Sequence, residues 1–234
     1  HRSFPSIQFV PREDPANPKL LDLAIDYQIP MGSLGQWLRA DEDAFLLEQG
    51  SYLHACPNKV RCLQEKYRDL AGNKLLVGIS WKSTGIDKRR AQTKNAPLKH
   101  WSPILSQEDC YFVNLQYGDI REEIEAYTAM TGYSMHIDEQ IDPLNDLDGF
   151  AAQVSSLDLI VSTSNTTVHM SGGLGKEVWV LLSSRPDWRW MLEKESTPWY
   201  QTVRLFRQEK LGDWEGLIQR VVSDLERDMI GGWR

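Results

Sequence analysis

A run of four small polar residues, 164–167, stands between an apolar segment and a glycine-rich one. The apolar segment, 159–163, predicts a buried strand, and 166–175 predicts a short helix that ends in glycines. The first N–H groups of a helix have no intrahelical acceptor and carry the positive end of its dipole. We therefore predict an anion site at this turn; the alternative is that one of its first two residues only caps the helix. The four residues are Ser164, Asn165, Thr166 and Thr167.

Two basic side chains could add charge to a bound phosphate. His169 falls one turn into the predicted helix, where an imidazolium would contribute charge and a neutral imidazole would donate one hydrogen bond. Lys82 follows the apolar segment 75–81 and could offset the charge that develops on a leaving diphosphate. A structural histidine and a solvated lysine are the alternatives. The polar residues that we include in the same prediction are Ser83, Thr84 and Gln116.

The segment 183–200 interleaves aromatic residues with arginines. We predict that Trp188 and Arg189 border a base or sugar, and that Arg185 or Arg189 reaches phosphate, because indole rings stack and guanidinium groups bind phosphate. The alternative is a tryptophan-rich corner of the core, and we expect at least one of these tryptophans to be buried. A second basic group forms either a phosphate pocket or a solvated loop; its members are Lys82, Lys88, Arg89, Arg90, Lys94 and Lys99.

The elements that must position these residues alternate along the second part of the chain. This alternation predicts a parallel sheet with helices on both faces, a Rossmann-like α/β fold. In such sheets ligands bind beyond the carboxyl ends of the strands, which marks the loops 82–96, 116–120, 163–167 and 183–190. The predicted strands are 75–81, 110–117, 133–138, 159–163, 177–183 and 203–208. The predicted helices are 97–107, 120–132, 146–158, 166–175 and one that begins near Asp213.

The first part of the chain, 1–72, is proline-rich near its start and lacks this alternation, apart from one possible helix at 59–70. We interpret 1–72 as a linker or the remnant of another domain, and 73–234 as the ligand-binding domain.

Composition narrows the function further. The net charge of −7 argues against general nucleic-acid binding, and no apolar run approaches the roughly 20 residues of a membrane span. The three cysteines and the absence of metal-ligand spacing argue against a disulfide scaffold or a metal site. There is no secretory signal at the start. The few cysteines fit a reducing compartment best, so we expect a cytoplasmic protein. Neither GxxxxGK[ST] nor GxGxxG occurs, which disfavours a P-loop or a nicotinamide cofactor.

Several separate motifs resemble one family. They are DGFAAQVSSLDLIVSTSNTTVHMSGGLGKEVWVLL, PDWRW, STPWY, VRLFRQ, GDWEGLIQRV, VGISWKSTG, FVNLQYGD and DYQIPMGSLGQWLRAD. Over about residues 26–222 the chain resembles the carboxyl-terminal domain of bacterial glycosyltransferases often fused to tetratricopeptide repeats. That group is related to the heptosyltransferases of lipopolysaccharide synthesis and, more distantly, to O-linked N-acetylglucosamine transferase.

The resemblance implies the nucleotide-binding lobe of a two-domain, B-type glycosyltransferase fold. It implies transfer without a metal ion or other cofactor, with a nucleoside-diphosphate sugar as donor. By position it equates 164–167 with the family's phosphate loop and His169 with its histidine. Heptosyltransferases usually have an Asp-Thr pair where this chain has Ser164 and Asn165, which leaves the sugar open. The amino-terminal lobe, with acceptor contacts and often the catalytic base, is expected to lie mostly outside this sequence, so the fragment alone is expected to bind donor but not necessarily to be active.

Three hypotheses result. The first is a glycosyltransferase domain that binds a nucleotide sugar for transfer to an acceptor hydroxyl, on a glycan, a lipid-linked sugar or a protein. The second is a non-catalytic nucleotide-binding or scaffold module of the same fold. The third is a nucleotide-sugar epimerase, for which we find no suitably placed carboxylates.

Overall fold

The computed structural model describes residues 2–10, 12–20, 24–45, 50–83 and 93–232. The chain divides into two units, 1–49 and 50–234. In the described part of the first unit, no side chain is fully buried. It contains the short helix α1 (Gly35–Leu38) and single 3-10 turns at Pro18–Leu20, Met31–Ser33 and Asp43–Phe45. Helix 57–71 of the expected linker belongs to the second unit, since that unit begins at Gly50.

The second unit is a six-stranded, mostly parallel sheet. Its strands are β1 (Leu75–Ser80), β2 (Cys110–Asn114), β3 (Leu159–Thr163), β4 (Glu177–Leu182), β5 (Ser196–Thr197) and β6 (Tyr200–Arg207). The spatial order is β2-β1-β3-β4-β6-β5, with every pair parallel except β5 with β6. The predicted α/β class is therefore confirmed.

Helices cover both faces of this sheet, as the continuous apolar strands predict. The helices are α2 (Pro57–Ala71), α3 (Ser102–Leu105), α4 (Arg121–Thr131), α5 (Leu147–Ser155), α6 (Thr166–Gly173) and α7 (Trp214–Ile230). Alternate residues of each strand enter two separate cores, so that Val77 and Ile79 pack with α3, α4 and α7 while Leu76 packs with α2, α5 and α6. None of the described helices is long and apolar enough to cross a bilayer.

The strand order creates a crevice beside β1. The chain leaves β1 for β2 on one side and returns to β3 on the other, so the connections diverge between the carboxyl ends of β1 and β3. Ligands of doubly wound sheets bind at such a point. Ser80 at the end of β1 lies opposite Ser162 of β3. The segments that follow them, which begin at Trp81 and Ser164, are two of the four loops that the sequence marks.

Two predicted elements differ from the structure. The expected helix 97–107 is a 3-10 turn, Leu98–His100, followed by the single turn α3. Pro103 has no N–H to continue an α-helical ladder through this segment. The expected strand 133–138 is only one bridge, in which His136 pairs with Val113.

Two residues after this bridge, Asp138 is buried. Its carboxylate accepts hydrogen bonds from Lys66 Nζ and Tyr67 Oη, both at 2.9 Å.

Gly78 lets the segment after β2 and the segment before β3 pass close to the centre of β1. A Cβ at this position would lie 2.4 Å from Leu115 Cδ1 and 2.7 Å from Leu157 Cδ1. Both leucines are fully buried, so neither can move aside without disturbing the core. We expect Gly78→Ala to lower the free energy of unfolding by about 1–3 kcal/mol through overpacking. Gly35→Ala, where no atom lies within 4 Å of the added Cβ, is the control in chemical denaturation; equal stability of the two variants would contradict this packing.

His136 should make stability depend on pH. Burial lowers its pKa, and its Nε2 has no hydrogen-bond partner among the described residues. Below the ordinary value of about 6.5, the unfolded chain takes up a proton that the folded chain resists. The free energy of unfolding should therefore fall between pH 7.5 and pH 5.5.

Urea denaturation of His136→Gln at both pH values checks this expectation. The pH-dependent loss should shrink in that variant but persist in part, because burial also lowers the pKa of His100 and His169. His54→Gln, at an exposed position, is the matched control. An unchanged pH-dependent loss in His136→Gln would exclude this contribution.

Candidate active site

Asn165 joins the carboxyl ends of β1 and β3. Its side-chain Nδ2 donates to Ser80 Oγ at 2.7 Å and to the Lys82 carbonyl at 3.1 Å. Its Oδ1 accepts from the Thr167 N–H at 2.9 Å and from Ser162 Oγ at 3.2 Å. Asn165 as a whole is only 6% exposed. Asn165 therefore caps α6 and fixes the turn, and the polar atoms of its side chain are all engaged within the protein.

Gln116 makes the corresponding connection from β2. Its Oε1 accepts from Ser80 Oγ at 3.1 Å and from the backbone N–H groups of Trp81 and Lys82, at 3.0 and 2.8 Å. Its Nε2 donates to the Tyr117 carbonyl at 3.1 Å. Gln116 is nearly fully buried. The sequence predicts Gln116 at the site. In the structure its side chain bonds the loop after β1 to the loop after β2.

Lys82 lies at the crevice in an ion pair. Its Nζ is 2.5 Å from Glu123 Oε2, while Trp81 Nε1 donates to the other oxygen of Glu123 at 2.9 Å. The predicted cation is therefore present but has a carboxylate partner. Ser83 donates its backbone N–H to Asn95 Oδ1 at 2.7 Å. Other residues of this prediction lie outside the described part of the chain: Thr84, Lys88, Arg89 and Arg90.

Among the four predicted residues of the turn after β3, Thr166 is the exposed one. Thr166, the first residue of α6, is exposed, and its backbone N–H has no acceptor within the helix. Thr167 is buried, and its Oγ1 has no hydrogen-bond partner within the described ranges. Ser164 Oγ accepts a hydrogen bond from Trp190 Nε1 at 2.8 Å. The turn therefore exposes the Thr166 side chain, while the N–H of Thr167 is already bonded to Asn165 Oδ1.

His169 lies half-buried behind this turn, between two aromatic side chains. Its ring stacks on Trp190 with centroids 5.4 Å apart and planes 16° apart. Its Nδ1 is 2.9 Å from Tyr200 Oη. Burial lowers the pKa of His169, and the nearby Arg189 charge lowers it further. Of the two predicted roles, the neutral hydrogen-bond donor fits this environment better than the imidazolium does.

The loop after β4 contacts the turn 164–167 through Trp190, which donates to Ser164 Oγ. Trp190 is 1% exposed and belongs to the core, whereas Trp188 is 66% exposed. The Arg189 guanidinium lies 4.6 Å from the centroid of the Trp188 ring and 2.8 Å from Asp187 Oδ1. Arg185 is exposed on the same loop. Trp188 and Arg189 thus offer an accessible aromatic and cationic surface next to the turn.

A crevice of about 410 Å³ opens beyond the carboxyl end of β2. Gln116, which also holds the loop after β1, forms part of its wall, together with Asp119 and Gln153. Its size falls within the range of about 300–1,000 Å³ typical of small-molecule sites. In the part of the chain that the structure describes, no three histidine, cysteine or acidic side chains cluster as metal ligands would.

Three residues of the site were not predicted in their roles from the sequence. They are Glu123, the partner of Lys82; Trp190, the partner of Ser164; and Tyr200, the partner of His169. Glu123 is separated from Lys82 by 41 residues, and Tyr200 from His169 by 31. No local pattern links such pairs. The only available signal was the position of Glu123 in the first turn of a helix that follows a marked loop.

Comparison with known proteins supports the fold. No protein-family model matches this sequence. Protein FlbA of Caulobacter vibrioides is 34% identical over 200 residues, which are 86% of this chain but 33% of FlbA. The chain thus spans about a third of that relative.

Two solved structures share the fold at low sequence identity. The E. coli ADP-heptose lipopolysaccharide heptosyltransferase II has a TM-score of 0.55 and 15% identity, over 76% of this chain and 53% of that one. The glycosyl transferase family 9 protein of Veillonella parvula has a TM-score of 0.56 and 12% identity, over 77% and 54%. The chain therefore has a glycosyltransferase-type α/β fold that corresponds to about half of each of these structures.

Proposed function

We propose that this chain is the donor-binding part of a glycosyltransferase that transfers a sugar from a nucleoside diphosphate to an acceptor hydroxyl. The observation that carries the proposal is the turn 164–167: an exposed helix N-terminus, held rigidly at the switch point of a parallel sheet. The low-identity structures support only the fold. The resemblance of several motifs to repeat-fused transferases supports a cytoplasmic enzyme with tetratricopeptide repeats elsewhere in its chain.

The diphosphate is the ligand group that best fits the turn. Main-chain N–H groups at a helix start bind phosphate oxygens and need no side-chain charge. Lys82 and His169 lie on either side, one as a cation and the other as a hydrogen-bond donor. When the bond between the sugar and the diphosphate breaks, negative charge grows on the diphosphate, and preorganised donors stabilise that charge. These groups support transfer without a metal ion.

The nucleoside and the sugar of a nucleotide sugar would then lie on opposite sides of the turn. The crevice beyond β2 has room for a nucleoside, and its carboxylates can accept hydrogen bonds from ribose hydroxyl groups. Trp188 and Arg189 border the opposite side, where a sugar ring could stack on the exposed indole. We assign no general base, and the acceptor remains any hydroxyl-bearing glycan, lipid-linked sugar or protein.

A second candidate is a module that binds nucleotide without transfer. It is favoured by Ser164, whose hydroxyl is already bonded to Trp190, and by Lys82, whose charge is already paired with Glu123. Both candidates predict nucleotide binding. Turnover of the nucleotide sugar that corresponds to the bound nucleotide, assayed with the full-length protein, distinguishes them.

Calorimetric titration with UDP, ADP and GDP tests the proposed site. At least one of the three should bind, and Lys82→Ala and His169→Ala should each weaken binding by about tenfold to a hundredfold, because a hydrogen bond to a charged group contributes about 1.5–3 kcal/mol. Lys74→Ala removes an exposed cation at the amino end of β1, the end opposite to Lys82, and should leave affinity unchanged. If none of the three nucleotides binds, the proposed function is wrong.

The role of the main chain is tested by two substitutions of one residue. Thr166→Pro removes the first N–H of α6 at a position where proline suits a helix, and Asn165 before it is already extended, with φ −142° and ψ −171°. Thr166→Ala removes the hydroxyl and keeps the N–H. We expect about a tenfold loss of nucleotide affinity in Thr166→Pro, a loss below about threefold in Thr166→Ala, and similar melting temperatures. Equal affinities of the two variants would show that this N–H does not contact the ligand.

A further inference from the structure

We propose that Tyr200 is a positioning residue that decides which ring nitrogen of His169 carries the proton, so that Nε2–H is presented to the diphosphate. The inference rests on the proposed function, because it concerns the same site. It adds a residue that lies on β6, outside the four loops that border the crevice.

The hydrogen bonds around Tyr200 form a chain. Tyr200 Oη lies 2.9 Å from His169 Nδ1, and Tyr200 is also hydrogen-bonded to the Tyr52 side chain. Tyr200 has a single hydroxyl proton, and we assign it to the bond with Nδ1, with Tyr52 donating to Tyr200. The histidine proton then resides on Nε2. Within the described residues, Nε2 itself has no hydrogen-bond partner and is not among the buried unbonded atoms. With this assignment, the Nε2–H of His169 is available to a ligand.

The packing fixes both the plane and the orientation of the imidazole. Trp190 stacks on one face and sets the plane. Rotation of the ring by half a turn would place a carbon in front of Tyr200 Oη and break the hydrogen bond. The Tyr200 ring is fixed in turn against Gly172, where a Cβ would lie 2.5 Å from its Cγ. Gly172 therefore permits the approach that lets Tyr200 reach His169.

The charges around His169 make the position of this proton important. Burial, and then the cation of Arg189, lowers the pKa of His169, with Lys94 acting in the same direction and Asp187 opposing it. The ring is therefore mainly neutral at pH 7 and has a single N–H to donate. With the proton on Nδ1, the ring would offer a diphosphate only a lone pair. Tyr200 prevents that arrangement without contacting the ligand.

The test compares wild type, Tyr200→Phe and Tyr127→Phe. Tyr200→Phe keeps the ring that packs on Gly172 and removes only the hydroxyl. Tyr127→Phe removes another tyrosine hydroxyl, bonded to Ser102 at 2.9 Å in a different core, and is the matched control. Side-chain ¹⁵N NMR of labelled histidine should show the Nε2–H tautomer of His169 in wild type and in the control, and a mixture of both tautomers in Tyr200→Phe. An Nδ1–H tautomer in wild type, or an unchanged tautomer in Tyr200→Phe, would overturn the inference.

Binding is measured in the same proteins with inorganic pyrophosphate as probe. We expect about a fivefold loss of affinity in Tyr200→Phe, no loss in Tyr127→Phe, and no further loss when Tyr200→Phe is added to His169→Ala. A purely structural tyrosine would instead lower affinity by the same factor with or without His169. If wild type binds pyrophosphate and Tyr200→Phe binds it equally well, the role of Tyr200 is refuted while the proposed function stands. If wild type binds neither pyrophosphate nor any of the three nucleotides, the site itself is refuted.

Discussion

The site depends on one buried amide. Asn165 is the point at which β1, β3 and α6 are joined, because its side chain bonds to a group from each of them. A buried amide of this kind is stable only when its donors and acceptors are satisfied, and here they are. The requirement fixes the angle at which α6 leaves the sheet. The N–H of Thr166, the first residue of α6, is therefore held at a defined position beside the loop that carries Lys82.

A second constraint comes from the aromatic side of α6. Trp190 bonds to Ser164 and stacks on His169, while Tyr200 bonds to His169 from the edge of the ring. Both aromatic residues follow β4 in the chain. The last third of the domain therefore contacts the turn through Trp190, and His169 through Trp190 and Tyr200. The imidazole ring of His169 is therefore held in one orientation by these two contacts. The same contacts explain why the sequence needs a glycine at position 172, since any side chain would displace Tyr200.

Much of this architecture could be predicted because its causes are local. The strand 159–163 matches β3 residue for residue, since an uninterrupted apolar run between polar turns is typical of a strand buried on both faces. The prediction of an anion site at 164–167 likewise rests on local properties, the dipole and the unbonded N–H groups of a helix start. Pro103 shows the limit of periodicity: the apolar spacing of 97–107 is helical, but a missing N–H interrupts the helix. The pairing of Lys82 with Glu123, and of His169 with Tyr200, arises only when distant segments meet, so sequence spacing could not reveal it.

The paired cations indicate how recognition is divided within the proposed site. Lys82 is held by Glu123, and Arg189 by Asp187, so each of these positive charges is already compensated before a ligand arrives. A diphosphate must therefore either share these cations with the carboxylates or displace them, and both cost part of the Coulomb energy. The helix N–H groups carry only partial charge, but no carboxylate competes with a phosphate for the first N–H of α6 among the described hydrogen bonds. In a protein whose net charge is −7, these oriented amides are consequently the groups best suited to make the first contact with an anion.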